Sequence, residues 1–170
     1  FEMPVQARRW RAQQKERAAH TALLDALGHL LSGRFIRARK AAMAALAREK
    51  ALDTAGERLS HAAQLRTIAH LVAAESAQAL QDRASRDGHL QRALELTQGR
   101  SGAALQEIRE GAQLRAARWA LDERDVQASL GWLEALPGGA QRRTVALRIR
   151  LKASRLARQT SIALETARLL

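Results

Sequence analysis

The sequence predicts an all-helical protein made of stacked helix pairs. Strong helix formers, namely Ala, Leu, Arg, Gln and Glu, dominate its 170 residues, whereas Pro occurs only twice and Tyr is absent. Apolar residues account for 46% of the chain but aromatic residues for only 3%, so Leu and Ala must form the core. Because small Ala side chains let helices approach closely, this composition favours packed helix pairs over a sheet.

Apolar residues recur at helical spacing between short polar breaks and predict eight helices. The first six cover about 8–31, 34–49, 61–82, 87–97, 103–121 and 124–136, and two more fill 141–170. Gly33 and a Pro-Gly-Gly turn at 137–139 are expected to end helices, and Ser60 to cap the third helix. Residues 50–59 are predicted to be a polar connection, and a weak break is expected at residues 157–158.

The second predicted helix matches the pattern of a tetratricopeptide repeat. In that repeat the second helix opens with Gly-x-aromatic-x-x-Ala, and small or apolar residues follow four and seven positions later. Residues 33–38, GRFIRA, fit this opening, with Ala42 and Ala45 at the later positions. Further matches are Leu90, Ala93, Ala128, Trp132 and Ala135, and small residues suited to helix contacts are Ala26, Ala74 and Ala116. The pattern predicts tetratricopeptide-like hairpins stacked in a right-handed solenoid, although any Ala-rich helical hairpin would give some of these matches.

Basic residues are concentrated at the two ends of the chain, whose net charge is +12. Residues 1–50 and 141–170 each carry a net charge of +7, whereas residues 51–140 carry −2. The basic residues at the start of the long first helix are Arg8, Arg9, Arg11, Lys15 and Arg17. Such a cluster can bind an anionic membrane face, an acidic partner or nucleic acid, and charge alone does not choose among them. The longest apolar run has 7 residues, against about 20 for a membrane span.

Several blocks of the chain, taken in order, resemble the N-terminal region of the HemY family of Gram-negative bacteria, which is linked to late haem biosynthesis. They are RRWR at 8–11, LL at 23–24, GRFIRA at 33–38, AHLVAAESAQ at 69–78 and HLQRALEL at 89–96. The resemblance implies a bacterial inner-membrane protein with two N-terminal spans that precede this chain. Residues 1–5 are then expected to be the interfacial end of the second span. A juxtamembrane basic segment at residues 1–18 would lead into a tetratricopeptide-like domain at residues 19–170, on the cytoplasmic side.

The sequence offers no arrangement typical of an enzyme or of a metal site. Without Cys it has no thiolate nucleophile and no Cys-ligated metal. His20 and His29, like His61 and His70, are nine residues apart, which places each pair on opposite faces of a helix. The acidic cluster at 122–125 fits the capping of a helix start better than acid–base catalysis. We therefore expect no catalytic residue, no metal and no cofactor, with haem ligation by a single His as an alternative.

Two surfaces are candidates for binding a partner. Ligands of tetratricopeptide proteins usually lie along the face formed by the first helix of each pair. In that register the predicted partner-binding residues are Glu75, Gln78, Gln113 and Arg115. The other surface is the basic segment at 142–158, where Arg148, Lys152 and Arg155 share one helix face. That face is either solvated or a groove for an acidic peptide.

The helical pattern predicts a scaffold that holds other proteins, and the resemblance implies that it is tethered to the membrane and that haem-pathway enzymes are among its partners. A haem or porphyrin carrier that uses one His is one alternative, and a basic nucleic-acid-binding helical domain is another. Nucleic acid is disfavoured as a partner because the chain lacks stacking aromatic residues and a recognition-helix motif.

Overall fold

Helices make up almost all of the structure. The computed structural model describes residues 3–57, 59, 61–99 and 102–169. Within these ranges it contains eight α-helices and no strand, which confirms the all-helical prediction. The helices are α1 (Met3–Leu31), α2 (Phe35–Thr54), α3 (Ala62–Ala79), α4 (Arg83–Thr97), α5 (Ala103–Asp122), α6 (Val126–Glu134), α7 (Gly138–Gln141) and α8 (Thr144–Leu169). The chain divides into two compact units, which we call unit 1 (Phe1–Ile108) and unit 2 (Arg109–Leu170).

Alanine lines the contacts between the helices of unit 1. In this unit α1 packs on α2, α2 on α3 and α3 on α4, and α1 also contacts α3. Alanines with no exposed surface lie along these contacts: Ala19, Ala26, Ala38, Ala42, Ala45, Ala69, Ala73, Ala74, Ala77 and Ala93. Because the side chains on both sides of these contacts are methyl groups, the helix axes can lie close together. The predicted contact residues Ala26 and Ala74 are among them.

The first two helices form an antiparallel pair. Ala26, near the end of α1, shares a buried cluster with Ala38 and Ala42, near the start of α2. Ala19, about two helical turns earlier in α1, instead shares a cluster with Leu52, near the end of α2. The end of α1 thus packs on the start of α2, and an earlier part of α1 packs on the end of α2. The two helices are therefore antiparallel, as a short connection between neighbouring helices requires.

Unit 2 is built around the C-terminal part of α5. Its buried cluster contains Ala117, Leu133, Leu136, Ala140, Ala146 and Ile149. Trp119 is 2% exposed, and the Ser129 hydroxyl of α6 donates a 2.8 Å hydrogen bond to the Ala117 carbonyl of α5. The α5 contact residue Ala116, predicted from the sequence, is also buried. A buried hydroxyl that is bonded in this way fixes the register of α6 against α5.

The same three-residue turn joins α1 to α2, α3 to α4 and α5 to α6. Its middle residue has a positive φ, which is 71° at Gly33, 62° at Gln81 and 63° at Arg124. In each turn the third residue's N–H donates to the carbonyl five residues earlier, over 2.8, 2.9 and 2.8 Å. This hydrogen bond belongs to the Schellman motif, which satisfies a carbonyl at a helix C-terminus. Gly33 adopts the left-handed conformation freely, whereas Gln81 and Arg124 adopt it at a steric cost.

Most predicted helices are present, but several of their ends are displaced. Helix α1 begins at Met3 rather than residue 8, and α2 continues through Thr54 into the predicted polar connection. Helix α4 begins at Arg83 rather than residue 87, because the Asp82 side chain caps it by accepting a 3.1 Å bond from the Ser85 N–H. The predicted cap Ser60 and the first two residues of the expected interfacial segment lie outside the described residues.

The C-terminal stretch is one helix, so the predicted break at residues 157–158 is wrong. Helix α8 runs without interruption from Thr144 to Leu169, since this stretch contains neither Gly nor Pro. The interruption lies earlier, at Arg142 and Arg143, after the four-residue helix α7 that follows Pro137. The repeat match in α6 is also displaced, because Ala135 is exposed whereas the buried residues are Ser129, Leu133 and Leu136.

Replacement of Gln81 by Gly should stabilise the protein. The change removes about 1–2 kcal/mol of strain in the left-handed conformation and adds about 0.5–1 kcal/mol of backbone entropy cost, so we expect a net gain of up to about 1.5 kcal/mol. Urea denaturation of Gln81→Gly measures this as a higher midpoint at unchanged slope. Gly33→Ala is the matched control at the equivalent turn position and should lower the midpoint. A lower midpoint for Gln81→Gly would contradict the turn assignment.

Candidate functional site

A polar cleft of about 380 Å³ opens on the surface of unit 1. Residues of α2, α3 and α4 line it: Leu46, Glu49, Lys50, Asp53, Arg66, His70 and Arg92. We refer to these residues as the polar cleft. The lining combines cations, from Lys50, Arg66 and Arg92, with the carboxylates of Glu49 and Asp53, so opposite charges lie close together.

An ion pair between α2 and α3 forms one wall of the polar cleft. Glu49 is 2% exposed, and Arg66 donates to both of its carboxylate oxygens, from Nε at 2.5 Å and from Nη2 at 2.7 Å. The same Nη2 lies 3.7 Å from a carboxylate oxygen of Asp53. Two parallel bonds of this kind fix the orientation of both side chains and add to the attraction between their charges. The bond to Glu49 also raises the pKa of Arg66 above its ordinary value.

The sequence contains a signal for this buried carboxylate that our prediction missed. The buried residues of α2 are Ala38, Ala42, Ala45, Glu49 and Leu52. Glu49 therefore continues the spacing of the predicted alanine stripe, three to four residues apart, into the segment just before the predicted connection. A carboxylate in an apolar stripe requires a cationic partner on the facing helix.

His70 of α3, which lines the polar cleft, contacts His89 of α4. Their Nδ1 atoms lie 2.9 Å apart, and their ring centroids are 5.2 Å apart. Burial, the neighbouring His89, Arg92 and Arg66 lower the pKa of His70 to about 4. Burial, with the charge of Arg39 next, also lowers the pKa of His89. Both rings are therefore uncharged at neutral pH, and the Nδ1 of one donates to the Nδ1 of the other.

The arrangement of this histidine pair does not match haem ligation by two imidazoles. Nitrogens that bind one iron from opposite sides are about 4 Å apart, twice a metal–imidazole bond of about 2.0 Å. The two Nδ1 atoms are closer than that, at 2.9 Å, and already hydrogen-bonded to each other. Within the described ranges, no group of three or more His, Asp or Glu side chains is placed to hold a metal ion.

The predicted groove residues of unit 1 lie together on α3. Glu75 and Gln78 are half-buried and three residues apart, so they share one helix face. The side-chain oxygen of Gln78 accepts a 2.7 Å bond from Nη1 of Arg86, which is itself 6% exposed. Gln78 therefore satisfies a buried guanidinium of α4, which links the two helices of the pair.

The other two predicted groove residues belong to unit 2. Gln113 is 6% exposed, whereas Arg115 is half-buried and donates from Nη1 to the Gly111 carbonyl at 3.3 Å. Two residues along a helix correspond to a rotation of about 200°, so these side chains lie on different faces of α5. A single groove that contains all four predicted residues stays a prediction.

The basic residues at the start of α1 are all exposed, and Trp10 among them is 61% exposed. The residues concerned are Arg8, Arg9, Arg11, Lys15 and Arg17. Lys15 lies 3.8 Å from a carboxylate oxygen of Glu57. None of the helices in the described part of the chain has the length and apolar character that a membrane span needs.

A second concave surface lies within unit 2, between α5 and α8. It has a volume of about 570 Å³, and we call it the basic groove. Its lining residues are Arg118, Leu121, Asp122, Val145, Arg148, Ile149, Leu151, Lys152, Arg155 and Leu156. The three basic residues that the sequence placed on one face of the terminal helix, namely Arg148, Lys152 and Arg155, thus line one groove.

Two acidic residues of unit 2, Glu110 and Asp125 of the acidic cluster at 122–125, have structural partners. Glu110 is buried, and Nη2 of Arg143 lies 2.6 Å from its carboxylate. The Asp125 side chain accepts a 3.0 Å bond from the Ala128 N–H at the start of α6, as the capping prediction requires.

Comparison of the chain with protein-family models, with curated proteins and with solved structures found no match.

The buried ion pair gives a double-mutant test. Arg66→Met should lower the free energy of unfolding by about 3 kcal/mol, because Glu49 is left charged and buried without its donors. Arg66→Met with Glu49→Leu should recover most of that loss, since no unpaired charge remains. Denaturant unfolding measures both, with Arg37→Met on the exposed face of α2 as a control expected within about 0.5 kcal/mol of the parent. Equal losses for the single and double variants would contradict a coupled pair.

Proposed function

We propose that this chain is a non-catalytic protein-interaction scaffold with tetratricopeptide-like architecture. The observation that supports this most is the recurrence of one turn in three helix pairs, centred on Gly33, Gln81 and Arg124. Repeated hairpins with the same turn are the building unit of helical repeat proteins, which present long surfaces to partners. The proposed stack is a right-handed solenoid.

Packing in unit 1 supports the same proposal. Helix α1 contacts both α2, its partner in the pair, and α3, the first helix of the next pair. Contact between the first helices of adjacent pairs is what a stack of hairpins requires. The polar side chains of α3, Glu75 and Gln78, lie where such a stack would offer them to a partner or to the neighbouring helix.

We further propose that the parent protein is a HemY-like membrane protein associated with haem biosynthesis. The exposed cationic start of α1, with Trp10 beside Arg9 and Arg11, supports a position near an anionic membrane surface. Each basic residue close to such a surface contributes about 1 kcal/mol of attraction. The domain would lie on the cytoplasmic face of the bacterial inner membrane, tethered by preceding spans.

In this proposal the scaffold acts by colocalisation. Two enzymes that are held on one surface meet at the effective concentration set by the tether, which for short flexible links is in the millimolar range. The chain then increases flux between consecutive steps without supplying a catalytic group. Haem-pathway enzymes are the proposed partners.

Affinity purification of the complete membrane-anchored protein from mild detergent tests this function. We expect haem-pathway enzymes to copurify with the parent protein and to fall about tenfold with Glu75→Ala/Arg115→Ala, as a loss of about 1.4 kcal/mol of binding implies. Mass spectrometry identifies and quantifies the partners. A thermal melt of each variant checks that it is folded.

The matched control removes one acid and one base at exposed positions, Asp25→Ala/Arg142→Ala, and should leave the recovery unchanged. Recovery of nucleic acid alone, or of no specific partner with the parent protein, would contradict the scaffold proposal. Equal recovery with both double variants would place the binding surface elsewhere.

A further inference from the structure

The basic groove combines an apolar floor with cationic edges. Ile149, at its base, is 5% exposed and belongs to the core of unit 2, whereas Val145, four residues earlier on the same face of α8, is 55% exposed. Removal of exposed aliphatic surface from water is favourable, so a partner that covers these side chains gains binding free energy. The floor of the groove is therefore suited to apolar side chains of a ligand.

Charge along the groove is strongly asymmetric. Among the described lining residues the only carboxylate is Asp122, against the cations Arg118, Arg148, Lys152 and Arg155, so the net charge is +3. Arg148, Lys152 and Arg155 are exposed, and no ion pair joins them to an acidic residue within the described ranges. A low-dielectric floor bordered by cations attracts a ligand that has carboxylates beside its apolar groups.

We propose that the basic groove binds an acidic amphipathic helix of a partner protein. This inference rests on the proposed scaffold function and defines the chemistry of one of its partners. The ligand helix places Leu-like side chains on the floor around Val145 and Leu156, and its Glu or Asp residues pair with Arg148 and Lys152. This is recognition of a helix in a groove, with charge that selects the partner.

The dimensions of the groove fit such a ligand. The lining residues of α8 run from Val145 to Leu156, which at 1.5 Å per residue corresponds to about 17 Å. Three turns of a helix have about the same length, and present three or four apolar side chains along one face. None of the described lining residues is aromatic and able to stack on a nucleic-acid base, so the aliphatic floor favours a protein ligand.

Fluorescence anisotropy with three labelled 14-residue peptides tests the proposal on the full chain. The first peptide contains Glu and Leu, with Leu at helical spacing on one face, and the second has the same composition in scrambled order. The third replaces each Glu of the first by Lys. We expect the amphipathic acidic peptide to bind at least about tenfold more tightly than either of the others, since both apolar face and charge are needed.

Two double variants with the same change in net charge locate the site. Arg148→Glu/Lys152→Glu reverses two groove cations and should weaken binding of the acidic amphipathic peptide by about tenfold or more. Arg150→Glu/Arg158→Glu reverses two exposed cations of α8 that do not line the groove, and should change binding by less than about twofold. Equal weakening by both variants would overturn the proposal in favour of diffuse attraction to any polyanion.

Two further ligands complete the test. Phosphatidylglycerol vesicles and a single-stranded oligonucleotide should bind the two double variants with equal affinity. The assignment of a protein ligand would be overturned if the vesicles or the oligonucleotide bound more tightly than the peptide and only Arg148→Glu/Lys152→Glu weakened that binding. The affinity purification described above separates this result from the general function. If the partners copurify with the full protein but the peptide does not bind, the scaffold function stands and only the assignment of this groove is overturned.

Discussion

Close contact between alanine-lined helix faces is the constraint on which the rest of unit 1 depends. Ala26 of α1, Ala42 of α2 and Ala73 of α3 have no exposed surface and share one cluster. Each buried methyl group stabilises the fold by only about 0.8 kcal/mol, so many contacts must form together. Because these helices lie close together, the polar side chains that flank the contacts can reach the neighbouring helix. The polar cleft consists of such side chains on α2, α3 and α4.

The polar groups near these contacts are arranged to satisfy buried charged side chains of neighbouring helices. Glu49 on α2 is buried and held by Arg66 on α3, and Gln78 on α3 satisfies the buried Arg86 on α4. Each of these bonds joins two helices at one register, because a displaced helix would leave a buried charge without its partner. In unit 2, by contrast, α8 leaves its cations in the basic groove facing solvent, and these are available to a ligand.

The all-helical class and the alanine contacts were predictable, since both depend on composition and on spacing within one helix. The spacing identified Ala38, Ala42 and Ala45 before any contact was known. The His70–His89 pair was not predictable in the same way, because the two rings lie on different helices and meet only when α3 and α4 pack. The turn at Gln81 was missed because Gly usually marks that position, and sequence patterns cannot detect a residue that adopts a positive φ against its preference.

The central claim, that alanine contacts determine how the helices of unit 1 pack, is tested most directly by enlarging one of them. Ala42→Leu places three extra carbons in a contact without free space, and should lower the free energy of unfolding by about 1–3 kcal/mol. Ala47→Leu makes the same chemical change on the exposed face of α2 and should alter stability by less than about 0.5 kcal/mol. Urea unfolding of the two variants measures the difference. Equal stability of Ala42→Leu and Ala47→Leu would contradict the claim, because the contact would then tolerate a side chain that the account says cannot fit.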